Sequence, residues 1–248
     1  MISDPWFYAV AIPAVLITAI SKGGFGGGLG LLGVPIMALI IAPQQAAAIL
    51  LPILCLMDIV GIWSFRGKAN RHALQTLLPS ACVGIIIGAL TFKYFSADSI
   101  RIIVGLIAVT FSLNFWLKPK NSEPKKPSRL RGSFWGTVAG FTSFGVHAGG
   151  APLNAYLLPL KLEKYDYVGT SIIFFSTINF IKLMPYTFLG QFTYETLSTA
   201  AALAIFAPIG VLLGVRLHHK IPDKWFYQLC YAFLFIMGLK LLFDALII

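Results

Sequence analysis

The chain has 248 residues, of which 58% are hydrophobic and 11% charged, with a mean hydropathy of +0.83. Soluble domains run at about 45–50% apolar and about 25% charged residues, so this is a polytopic membrane protein, and a soluble catalytic domain is excluded. The net charge of +10 sits mostly in short loops between apolar runs, which reads as positive-inside bias rather than as a nucleic-acid footprint.

At about 20 residues per spanning helix there is room for about eight apolar segments and little else. The start, MISDPW, has no basic n-region and no small-residue cleavage site after it, so the first segment is expected to be retained. Apolar segments are predicted over Pro5 to Ser21, Leu29 to Ile41, Gln44 to Phe65, His72 to Phe95 and Ser99 to Leu117. Residues 118–131, KPKNSEPKKPSRLR, then read as a basic, proline-punctuated cytoplasmic linker. Beyond it come Gly132 to Phe144, Ala151 to Leu160, Tyr165 to Phe188, Tyr194 to Leu217 and Lys224 to Ile248.

The second list repeats the first. A shift of 121 residues sets Gly24 on Gly145, Gly28 on Gly149 and Asp58 on Asn179, and a slightly longer one sets Gly88 on Gly214 and Asp98 on Asp223. The expected organisation is therefore an N-terminal repeat over 1–117, the linker, and a C-terminal repeat over 132–248. Each repeat contains a glycine-dense break, SKGGFGGGLG from Ser21 and SFGVHAGGAP from Ser143.

If each broken segment is a re-entrant hairpin, three spanning helices remain per repeat, and an odd number makes the repeats inverted. The loops holding Arg66, Lys68 and Arg71, Lys161 and Lys164, and Arg216, Lys220 and Lys224 then all fall inside with the linker. The Ala42-Pro43-Gln44 turn and the Leu189 to Thr193 loop fall outside. Fully spanning breaks would give parallel repeats and two violations of the charge rule.

Unwound backbone at membrane depth is tolerated only where protein buries it or where it lines a cavity. Matched breaks in two halves point to a transporter's substrate site. A new helix N-terminus beyond each break favours an anion, and Pro152 suits the first position of the second one. Gly23, Gly24, Gly28, Gly149 and Gly150 would let a ligand approach the backbone, or would serve close helix packing.

Lys22 is expected either to neutralise an anionic substrate or to cap the preceding helix, and Lys22→Ala to abolish uptake with folding intact. His147 reads as a proton relay or as a hydrogen-bonded structural residue. Ser171, Asn179 and Lys182 fall on one helical face, which should turn inward. Lys182 would snorkel to the interface or pair with Asp58, and Asp58 would couple an ion or proton, or serve as that partner. Asn154, Ser143 and Thr142 offer hydroxyl or amide groups beside the second break, Ser143 equally as a cap.

Cys55, Cys82 and Cys230 lie singly in apolar runs and read as packing residues. No zincin, nucleophile-elbow or P-loop motif is present. A membrane enzyme built on His147 and a serine therefore lacks a positioned nucleophile, base and orienter.

Through SKGGFGGGLG followed by GVPIMALI, the basic turn after the next long span, the basic linker, and SFGVHAGGAP leading to a span beginning VGTS, the chain resembles the sulfite exporter TauE/SafE family over nearly its full length. His147 stands where that family often has glycine or a small polar residue. The resemblance implies a bacterial cytoplasmic-membrane carrier of a small anion such as sulfite, thiosulfate or an organosulfonate. The alternatives are a gated anion channel and a carrier for a small carboxylate.

The expected partners are that anion and the bilayer, with no nucleic acid and a monomeric or homodimeric state. No cofactor is expected. An importer would use proton or sodium coupling, whereas a dianion exporter could run on potential alone, each charge gaining about 2.3 kcal/mol per 100 mV.

Overall fold

The computed structural model describes residues 1–27, 32–91, 97–117 and 124–247. Gly28 lies outside the described residues. Those described form helices α1 (Pro5–Phe25), α2 (Gly33–Met37), α3 (Pro43–Ser64), α4 (Arg71–Thr91), α5 (Ala97–Leu117) and α6 (Arg129–Val146). They continue as α7 (Gly150–Leu157), a 3₁₀ turn over Leu158–Leu160, α8 (Lys164–Phe188), α9 (Tyr194–Leu203), α10 (Phe206–Lys220) and α11 (Asp223–Ile247). Helices α1, α3, α4, α8 and α11 are long and apolar enough to cross a bilayer, and α9 with α10 forms a sixth such stretch, bent by 43°.

That bend divides a segment expected to be continuous from Tyr194 to Leu217. Pro208 is the cause. It has no N–H to give Ala204, four residues back, and its ring crowds that carbonyl; the Ala204 carbonyl instead accepts from Ala207 at 3.1 Å.

Both expected breaks occur, later than the glycine density suggests in the first case. Helix α1 runs on through Gly23 and Gly24 and ends where Gly26 and Gly27 turn to φ of 63° and 83°. The Gly27 N–H closes on the Ser21 carbonyl at 3.1 Å, and the Ala148 N–H closes on the Thr142 carbonyl at 3.2 Å. The same seven-residue cap thus ends α1 and α6. Its left-handed residue is Gly26 in one and His147, at φ 53°, in the other. Pro152 is the third residue of α7 rather than the first, still within the turn whose N–H groups have no helical partner.

Lipid tails are as apolar as leucine, so close packing through small residues holds membrane helices together. Helix α1 crosses α10 and α4 crosses α6 through such contacts. A methyl group on Gly23 would lie 2.3 Å from the Val211 carbonyl oxygen, and one on Gly84 would lie 2.0 Å from that of Thr137. The largely buried α3 and α8 pack on each other at the centre, and α5 lies against α11, where Phe115 stacks on Tyr231.

The loops sort onto two faces. On one, Lys68 touches Gly169, the Asn70 N–H bonds Thr170 at 2.8 Å, Tyr165 meets His219 at 2.9 Å, and the Lys125 N–H bonds the Pro159 carbonyl at 2.9 Å. This face holds Lys68, Lys125, Lys161, Lys164 and Lys220. On the other, Gln45 reaches Glu195 at 3.4 Å and the Ile2 N–H bonds Thr199 at 3.0 Å.

Candidate functional site

Two lysines lie inside the molecule, Lys22 on α1 and Lys182 on α8. Lys22 is in the last turn of α1, with its Nζ 2.8 Å from Asp58 Oδ1 and 3.5 Å from the Leu54 carbonyl. Their side chains are 4% and 0% exposed, so this is a buried ion pair. The contact is close in distance but poorly aligned as a hydrogen bond, since Oδ1 has no such partner. Asp58 Oδ2 accepts from Asn179 Nδ2 at 2.8 Å. The two residues that the 121-residue shift superposes therefore bond each other.

Lys182 is fully buried and does not reach the interface, nor does it take Asp58 as its ion-pair partner. An ammonium has three protons, and Lys182 has three acceptors: the Ser143 carbonyl at 3.1 Å, Ser143 Oγ at 3.0 Å and His147 Nδ1 at 2.8 Å. None is a carboxylate. His147 Nε2 lies 3.0 Å from the Ala47 carbonyl, which can only accept. Nδ1 also stands 3.2 Å from the Ser143 carbonyl; with Lys182 donating both to Nδ1 and to that carbonyl, the ring is the Nε2–H tautomer. The ring's bonds to Ala47 and Lys182 offset the roughly 1–2 kcal/mol that a left-handed conformation costs a residue with a Cβ.

Beside Lys22 is a cavity of about 30 Å³, which Lys182 does not line: Lys182 lies behind Ser143 and His147, two of the residues that do. The first half of the chain contributes Thr18, Lys22, Gly27 and Leu54, and the second Ser143, His147, Gly150, Phe175 and Asn179. Lys22 and Ser143 are mates under the shift, as are Leu54 and Phe175. Lys22 Nζ is also 5.9 Å from the centre of the Phe175 ring.

Other candidate residues lie beside the cavity. Gly23 and Gly24 face α10, where Cβ atoms would meet Val211 and Gly214. Gly149 packs on Ala139 and Ser143. Asn154 Oδ1 accepts from the Tyr167 hydroxyl at 2.6 Å, and Ser171, bonded to the Tyr167 carbonyl at 2.9 Å, abuts Gly26. Thr142 donates to the Val138 carbonyl at 2.9 Å within α6.

Thr18, Leu54 and Phe175 were not singled out by sequence. Each stands four residues before a residue that was: Lys22, Asp58 and Asn179 respectively. Reading one helical turn back along the same face would have found them. Among the described residues no group of three or more His, Cys, Asp or Glu side chains is placed to hold a metal ion.

Residues 11–241 match the sulfite exporter TauE/SafE family. The chain belongs to this family. It is also 26% identical over 247 residues to the probable membrane transporter protein YfcA of Escherichia coli K12, covering 96% of this chain and 89% of the relative. The proteins of that name from E. coli O6:H1 and O157:H7 give the same figures. No solved structure matches. As a TauE/SafE member with several apolar helices of spanning length, the chain is a multi-pass membrane transporter.

Proposed function

We propose that this TauE/SafE protein is a secondary transporter of a small sulfur-containing anion, such as sulfite, thiosulfate or an organosulfonate, across the bacterial cytoplasmic membrane. The anion is held in the cavity between the two broken helices. The observation that carries this is the charge balance. Lys22 is matched by Asp58, while the three bonds of Lys182 all go to neutral groups, so with both lysines protonated the buried cluster carries one positive charge in excess. An unmatched charge in a low-dielectric interior is costly, and a bound anion removes that cost.

The architecture we infer is a pair of inverted repeats. In support, the first broken segment starts beside Thr199 and ends beside Glu195, on the face poor in lysine. The second starts after the linker and ends at Pro159, which bonds Lys125 on the basic face. Each segment returns to the face it left, and the two faces are opposite. The bond between the mates Asp58 and Asn179 supports this reading, in which a pseudo-two-fold axis would pass close to both. Asp58 is the residue through which a proton or sodium ion would be coupled, because a cation at its carboxylate frees Lys22 for the anion.

The test is counterflow of sulfite, thiosulfate and an alkylsulfonate in proteoliposomes. The wild-type protein should show saturable counterflow with at least one of them, and Lys182→Met should lose it. Conductance without saturation would indicate a channel, and counterflow of a carboxylate alone would move the substrate outside the sulfur oxyanions.

A further inference from the structure

Hydroxyl groups inside these helices usually have an intrahelical partner. Ser64, Ser112, Thr142, Thr170, Ser171 and Thr177 each donate to the carbonyl four residues back. Thr18 is different. It is 1% exposed, it lines the cavity, and its Oγ1 has no hydrogen-bond partner among the described residues. A buried hydroxyl without a partner loses its hydration and receives nothing in return, so its retention at a cavity wall calls for a ligand.

The surroundings say what that ligand offers. Thr18 is one turn before Lys22 on the same face of α1, so whatever accepts from the Lys22 ammonium is within reach of this hydroxyl. Room for the hydroxyl comes from Gly33, where a Cβ would stand 2.7 Å from Thr18 Oγ1. Leu54 and Phe175 form an apolar flank.

We propose that Thr18 is a specificity-determining residue: its hydroxyl donates to one oxygen of the bound anion while the Lys22 ammonium holds another. The inference rests on the anion-site reading above. It selects ligands with two or more oxygens on one centre over monatomic anions. In the second repeat the mate of Thr18 is Ala139, so only one end of the cavity makes this distinction.

The experiment measures binding of sulfite, thiosulfate, methanesulfonate and chloride to purified full-length protein in detergent, by thermal shift and calorimetry. Thr18→Val keeps the shape and removes the donor. It should weaken binding of the oxyanions about tenfold, leave the oxyanion-to-chloride preference correspondingly reduced, and raise the ligand-free melting temperature. Thr18→Ser should restore oxyanion binding.

If Thr18→Val binds the oxyanions as the wild type does, or if Thr18→Ser is as impaired as Thr18→Val, the assignment is wrong while the anion site stands. If the wild type binds none of the four, the anion-site reading fails and Thr18 goes with it. Should Thr18→Val not fold, Thr18→Ala carries the same expectations for binding.

Discussion

Lys22→Met is the substitution whose consequence can be worked out most fully. It keeps the length and volume of the side chain and removes only the charge, leaving Asp58 with Asn179 as its single bonded partner. Breaking one side of a buried ion pair costs about 3–5 kcal/mol, because the remaining charge has lost its compensation. A second route gives a similar figure. The stranded carboxyl can take up a proton, and an ordinary carboxyl of pKa about 3.9 does so at pH 7 for about 4 kcal/mol, at 1.36 kcal/mol per unit. The variant should therefore fold, but melt about 8–16 °C lower at about 2–4 °C per kcal/mol for a chain of this size.

Because neutralising the carboxyl becomes easier in acid, the deficit should shrink by about 1.4 kcal/mol for each unit the pH falls towards 4. Lys22→Met/Asp58→Asn removes both charges and should recover most of the loss. The assay is thermal unfolding in detergent of wild type, both single variants and the double variant, at pH 5 and pH 7. Equal melting of Lys22→Met and wild type, or a double variant no better than Lys22→Met, would refute the reasoning. The sequence expectation that the chain folds without the Lys22 charge is kept, with a stability cost added that follows from the 2.8 Å contact to Asp58.

Two other substitutions test the framework around the site. Gly84→Ala puts a methyl 2.0 Å from the Thr137 carbonyl oxygen and must force α4 from α6, so it should cost about 1–3 kcal/mol, read as a lower melting temperature. In a background free of native cysteine, Lys68→Cys and Lys161→Cys should be labelled by an impermeant maleimide from one side of the membrane and Gln44→Cys from the other; labelling of all three from the same side would rule out hairpins of opposite orientation.

The breaks were legible because few residues other than glycine enter the left-handed region without strain. Glycine density alone did not locate them, though. Gly26 and Gly27 need positive φ, whereas Gly23 and Gly24 are ordinary helical residues kept small by the backbone of α10. The inward face of α8 was legible from 3.6-residue spacing, and the common face of the basic loops from the distribution of lysine. The partners of the lysines were not. Whether Asp58 meets Lys22 or Lys182 depends on how α1, α3 and α8 cross, and nothing local encodes that. The bend at Pro208 could have been read from the proline, but it lies in an unbroken apolar run that favoured a single helix.

The packing also bears on how such a carrier would move. The tightest contacts join helices of different halves, α1 with α10 and α4 with α6, so the bodies that can shift as units are these crossed pairs rather than the sequence repeats. Each pair is tied to the central α3 and α8 by a buried lysine. Lys22 reaches from α1 to Asp58 on α3, and Lys182 reaches from α8 to Ser143 on α6. An anion entering the cavity competes with Asp58 for the Lys22 ammonium and meets Ser143 and His147, the groups that hold Lys182. On the proposed reading, the substrate therefore loosens the ties between the crossed pairs and the centre while leaving the glycine-packed contacts within each pair intact. Binding and release of the constraint on movement are then one event, at Lys22 directly and at Lys182 through Ser143 and His147, which is what a carrier needs and a permanently open pore does not.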